Sequence, residues 1–212
     1  MVHHRYAPHS SLKRRVAFRS PKIRITVVCE GKLTEPEYLT KLARHCGALI
    51  TIDLIIERAA GVPMSVVDRA IQLLPKKRVG KMDSFSERDQ IWAVFDQDEH
   101  PRVAEAINKA ETAGILVGYS NPCFELWLVL HFHDWNRPVH RNEIQTELCK
   151  LMPKYNPKKS KTVDFDAIKD GVPEAESRAK MLEHYRIAEG DSRGNPSTTF
   201  FKLTSQIRTH GR

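Results

Sequence analysis

Hydrophobic positions fall into short β-branched runs separated by stretches of helical spacing, and that alternation sets the expected fold. Ile23 to Cys29 reads as a strand. Thr34-Glu35-Pro36-Glu37 then has the form of a capping box, with Thr34 as N-cap, and Leu39, Leu42, Ala43 and Cys46 repeat at helical spacing before Gly47. Leu49 to Ile56 is a second strand, and Gly61-Val62-Pro63 opens a helix carrying Val66, Val67, Ala70, Ile71 and Leu74 on one face. Pro75 to Asp89 reads as a polar loop with Lys76, Lys77, Arg78 and Lys81 clustered. Gln90 to Phe95 is a third strand, Pro101 to Ala113 a helix with proline in its first turn, and Ile115 to Tyr119 a fourth strand. Asn121-Pro122 then caps a helix apolar almost all round, Phe124 to Phe132, which must be buried. Two further helices are expected near Pro173 to Ala188 and Ser197 to Arg208.

Strands alternating with helices imply an α/β fold: a mostly parallel four-stranded sheet with helices on both faces, followed by a C-terminal helical extension. The expected organisation is a basic arm over residues 1–22, an α/β core over 23–135, and a helical extension packed on it over 136–212. In such sheets ligands collect at the carboxyl ends of strands. Glu30 follows the first strand and Asp96-Gln97-Asp98 the third, so three acids are expected at that edge.

Composition narrows the partners. The 212 residues include 34 Lys and Arg against 26 Asp and Glu, a formal charge of +8 that favours polyanions, nucleic acid first among them. Solvated lysines account for such an excess equally well. The longest apolar run, from Phe124, is about half the ~18 residues a bilayer span needs, and it contains Glu125 and His131, so no membrane is expected. Cys29, Cys46, Cys123 and Cys149 lack paired spacing; they read as reduced thiols in a cytoplasmic protein. The acid-free N-terminus lacks the apolar region of a secretory signal.

Alternate residues leaving a strand aim two carboxylates the same way, as a hard, oxygen-preferring cation requires; Asp96 and Asp98 have that spacing, although two turn aspartates would share it. Glu30 sits beside the sheet edge, where desolvation demands a cation or a proton. Glu35 is also explained by a helix dipole. Glu125, the lone carboxylate on an apolar helix, needs a metal, an arginine or water at the helix end. His100 stands near Asp98 as an acid/base or phosphate contact, while His131 and His133 read as satisfied histidines. Lys158 and Lys161 belong to a polar stretch suited to phosphate contact. Walker A, nucleophile-elbow and dinucleotide fingerprints are absent.

Val28-Cys29-Glu30-Gly31, Thr34-Glu35-Pro36-Glu37-Tyr38-Leu39, Phe95-Asp96-Gln97-Asp98-Glu99-His100, Ser120-Asn121-Pro122-Cys123-Phe124-Glu125-Leu126-Trp127 and Asn195-Pro196-Ser197-Thr198 together resemble the RloB-like family. The resemblance implies a Toprim-like sheet and a bacterial anti-phage or restriction-associated role. It also implies Mg²⁺ or Mn²⁺ on Asp96 and Asp98, with Glu30 as further ligand or base, for phosphodiester chemistry. Glu125 and Glu35 would complete a second metal position, and Lys32 would contact phosphate. The resulting expectation is a metal-dependent nuclease-like protein; the alternative is a non-catalytic nucleic-acid-binding or scaffolding subunit of a defence complex, with a protein partner.

Overall fold

The computed structural model describes residues 23–59, 61–74, 88–159 and 161–210. The basic arm at 1–22 and the lysine cluster at 76–81 lie outside the described residues.

β1 (Ile23–Cys29), β2 (Ile52–Arg58), β3 (Gln90–Asp96) and β4 (Leu116–Asn121) pair in parallel, and β5 (Ser197–Thr198) joins β4 antiparallel, giving the order β2-β1-β3-β4-β5. The fold is α/β and the sheet mostly parallel, but among the described residues it has five strands, not four. Ser197 and Thr198 were expected to start a helix. Instead they pair with Asn121 and Ser120, and the Ser120 and Thr198 hydroxyls meet at 3.0 Å. Two residues carry no periodic signal that would mark them as a strand.

Side-chain alternation distributes each strand between two cores. Ile25, Val27, Cys29, Trp92 and Val94 face one cluster, Val28, Ala93 and Phe95 the other. α2 (Pro63–Gln72) and α3 (Val103–Thr112) cover the second. α1 (Thr34–His45), α4 (Glu125–Val129), α5 (Arg141–Leu151), α6 (Val172–Ala188) and α7 (Phe200–His210) contribute to the first. Residues 136–159 and 161–210 therefore share one core with the sheet: Phe200, Leu203 and Ile207 of α7 are fully buried, each worth about 1.5–3 kcal/mol. Among the described residues no helix is long and apolar enough to cross a membrane. All four cysteines are free thiols.

Three local expectations are corrected. Thr34 is not the N-cap of α1: Leu33 holds that position, the Thr34 hydroxyl donates to the Lys161 carbonyl at 3.1 Å, and Glu37 pairs with Lys41 at 2.7 Å. α3 begins after Arg102, not at Pro101. The apolar run from Phe124 forms a helix of only five residues, α4, before passing through turns. An unbroken apolar run reports burial, and burial does not require a continued helix.

Candidate functional site: an acidic cleft at the sheet edge

The carboxyl ends of β1 and β3 lie side by side, and the turn after β1 bends away through Gly31-Lys32-Leu33 into α1. Between them opens a cavity of about 230 Å³ lined by Glu30, Gly31, Lys32, Leu33, Thr34, Glu35, Asp96, Asp98, Phe124, Glu125, Arg141 and Lys161. Five carboxyl groups thus meet in one cleft. Glu30, Asp96 and Asp98 arrive from strand ends, Glu35 from the first turn of α1, and Glu125 from α4.

Each acid is held differently. Glu30 accepts from the Asp96 backbone N–H at 3.3 Å and lies 3.2 Å from His100 Nε2. Burial pushes its carboxyl above the ordinary range, and Asp98 adds to the effect. The Asp96 carboxyl is pushed well up by desolvation, then by the charges of Glu35, Glu125 and Asp98; the Phe124 backbone N–H offsets part of this. Asp98 stands at φ 38°, the left-handed region that non-glycine residues seldom occupy, with its N–H on the Pro122 carbonyl at 3.0 Å. Arg141 Nη1 approaches Asp98 Oδ1 to 2.9 Å, yet the angle is not that of a hydrogen bond and the buried oxygen has no hydrogen-bond partner. Burial raises the Asp98 carboxyl against the pull of Arg141.

Glu35 is more deeply placed than its sequence context indicates. It is 6 % exposed, and burial followed by the Glu125 charge pushes its carboxyl up to about 7. Its carboxylate packs over Gly31, where any Cβ would collide with it; the glycine is required for that close approach. Glu125 has protein partners that were not expected. Tyr155 donates to Glu125 Oε1 at 2.5 Å and Gln145 Nε2 to the same oxygen at 3.0 Å, so among the described residues hydroxyl and amide donors from the C-terminal third, not an arginine, hold that oxygen.

Of the cations, Lys32 and Lys161 are exposed at the cleft rim, whereas Lys158 is exposed but does not line it. His100 reaches Glu30 from outside the lining. His131 is a core residue: its Nδ1 donates to the Trp127 carbonyl at 3.0 Å, which leaves Nε2 to accept from the Tyr38 hydroxyl at 3.0 Å, and burial lowers it to about 4. Arg141, Tyr155 and Gln145 were not anticipated. They lie in the polar stretch after the apolar run, where nothing in the sequence tells a cleft residue from a solvated one.

An all-oxygen carboxylate set suits a hard divalent cation, and the orphaned Asp98 oxygen and mutually raised acids mark a deficit of positive charge. As positioned, no group of three or more His, Cys, Asp and Glu among the described residues would hold a metal ion. The donors match such a cation in chemistry; the engagement of Glu30 by His100 and of Asp98 by Arg141 keeps them from a closed ligand set.

Fold and cleft define an α/β protein with an acidic site at the carboxyl edge of a parallel sheet. The RloB-like protein family matches residues 25–207, and the chain belongs to that family. Comparison with curated proteins and with solved structures gave no match.

Proposed function

We propose that this protein is a Toprim-type, Mg²⁺- or Mn²⁺-dependent phosphodiesterase acting on nucleic acid, a nuclease-like component of bacterial anti-phage defence working in the cytoplasm. The observation that carries the reading is the surplus of carboxyl groups in one cleft, raised by burial and by one another. In a protein with net charge +8, that cluster is where a cation finds complementary charge, and the basic residues Lys32, Arg141 and Lys161 in the same lining offer it to a phosphodiester. Asp96 and Asp98 would hold the cation, with Glu30 as third donor. Once bound, it would neutralise charge building on phosphate and orient water. Glu35, poised near 7, can take or give up a proton at neutral pH. Lys32 and Lys161 would meet phosphate oxygens at the rim. The cytoplasmic setting rests on the free cysteines and the defence role on family membership.

The non-catalytic alternative, a nucleic-acid-binding subunit of a defence complex, is favoured by one observation: Arg141 and His100 already stand against Asp98 and Glu30. Incubation with plasmid, single-stranded DNA, RNA and tRNA in Mg²⁺, Mn²⁺ or EDTA separates the two. Cleavage that needs the cation supports the enzyme; binding without cleavage under every condition supports the subunit.

A further inference from the structure

Beside the acidic cleft runs a second depression, about 510 Å³, between α1 and the edge strand β2. Its walls include Arg44 from the last turn of α1 and Arg58 from the end of β2, and Leu33 lines both depressions. Leu33 is 56 % exposed, an apolar ledge at the junction. β1–β2 register places Arg58 beside Cys29, one residue before Glu30, so the groove begins one strand away from the cleft. Lys41 in the same wall is committed to Glu37 and to the Val163 carbonyl. Arg44 and Arg58 are exposed, and among the described residues neither enters a salt bridge. An acid-rich site that opens past an exposed leucine onto two unneutralised guanidinium groups has the charge order of a path for a polyanion.

We infer that the α1–β2 groove is the track for a single-stranded polynucleotide leading into the acidic cleft, its phosphates held by Arg44 and Arg58 and a base resting on Leu33. This rests on the phosphodiesterase reading and adds the form and path of the substrate. A depression of this size takes one drug-sized unit such as a nucleotide at a time. Guanidinium groups suit phosphate because their planar donors engage two oxygens at once. Stacking and apolar contact are indifferent to sequence, so the groove binds strand form, not sequence.

The test uses the full chain in EDTA, which separates binding from cleavage, with fluorescein-labelled 12-mer oligo(dT) and oligo(U) and a blunt hairpin duplex as probes. Single strands should bind at least tenfold tighter than the duplex. Arg44→Ala/Arg58→Ala should weaken single-strand binding about tenfold. It should also reduce the slope of log K against log salt by about 1.4, since each phosphate no longer neutralised by a guanidinium removes about 0.7. Arg44→Lys/Arg58→Lys should keep most of that slope. An unchanged salt slope in the alanine pair, with wild-type melting behaviour, overturns the track while leaving cation-dependent cleavage standing. Equal binding of duplex, or tighter binding of an acidic peptide such as poly-Glu, also overturns it. Absence of both binding and cleavage in the wild type removes the phosphodiesterase reading itself.

Discussion

Glu176, on α6, and Asp96, at the end of β3, are both carboxylates drawn away from water, and their surroundings differ in kind. Glu176 is 7 % exposed and receives Arg208 at 2.6 Å and the Thr204 hydroxyl at 3.0 Å. One acid meets one guanidinium and one hydroxyl, and the Arg208 guanidinium is in turn held more firmly protonated by that bond. Asp96 meets mainly other acids, Glu35, Glu125 and Asp98. A charge kept for architecture is matched where it stands. A cluster left in surplus makes the fold less stable than it need be, and such deficits concentrate at sites that act on something else.

The sharpest way to break the comparison is to neutralise each acid in turn. Asp96→Asn should lower cation-dependent cleavage by at least about 10²–10³-fold and raise the melting temperature in EDTA, because one of the repelling groups is gone. Cleavage assays and melts on the same preparation read both. A variant that is less stable in EDTA and still cleaves would put Asp96 in the same category as Glu176. Glu176→Gln should do the reverse, costing about 2–4 kcal/mol in urea unfolding by leaving a partly buried guanidinium unmatched, with cleavage by the folded fraction unchanged.

Sequence reasoning placed Glu30, Asp96 and Asp98 at strand ends because β-branched runs stop abruptly at acids, and the parallel sheet follows from strand–helix alternation. Depth was not legible. Glu35 read as a helix-dipole residue, since its burial depends on Gly31 giving it room. The left-handed backbone at Asp98 has no sequence mark of its own. Arg141, Gln145 and Tyr155 reach the cleft only because the C-terminal third docks on the same core as β1 and α1. β5 is equally invisible, because its pairing is long-range. The legible part of the site is what local chain direction fixes; the rest depends on tertiary docking.

Acidity sharpens the contrast further. The Glu35 carboxyl titrates near 4.5 when unfolded and near 7 when folded, so between those values the folded state holds the extra proton. Stability from this group is complete below about pH 4.5 and is lost as pH rises toward 7, by about 3 kcal/mol at most. Glu30, Asp96 and Asp98, also raised, add in the same direction. The exposed Glu105 and the half-buried Glu147 are lowered and titrate below this window. Burial lowers His131 to about 4, which works the other way up to its ordinary 6.5. The fall is therefore read as the urea-unfolding free energy of the wild type minus that of Glu35→Gln in EDTA, which should decline from pH 4.5 to 7, with Mg²⁺ flattening the decline. A difference that rises through this window in EDTA would mean that Glu35 is already matched, as Glu176 is.

The smallest effect expected lies at Tyr155, which distinguishes a support from a ligand. Its hydroxyl donates to Glu125 Oε1 at 2.5 Å, while Gln145 holds the same oxygen at 3.0 Å. Tyr155→Phe removes one donor of two and keeps the ring in the core, so unfolding in EDTA should become easier by only about 1 kcal/mol. Thr204→Val, which removes one of two donors to Glu176, should cost a similar amount. The two variants should part company when Mg²⁺ is added. A donor that orients a metal-facing carboxylate influences affinity well beyond its own bond energy, by about tenfold. The stabilisation of Tyr155→Phe by Mg²⁺ should accordingly require about tenfold more cation, whereas Thr204→Val should respond as the wild type does. If both titrate alike, Glu125 belongs with Glu176 among the structural carboxylates, and the cation site contracts to Glu30, Asp96 and Asp98.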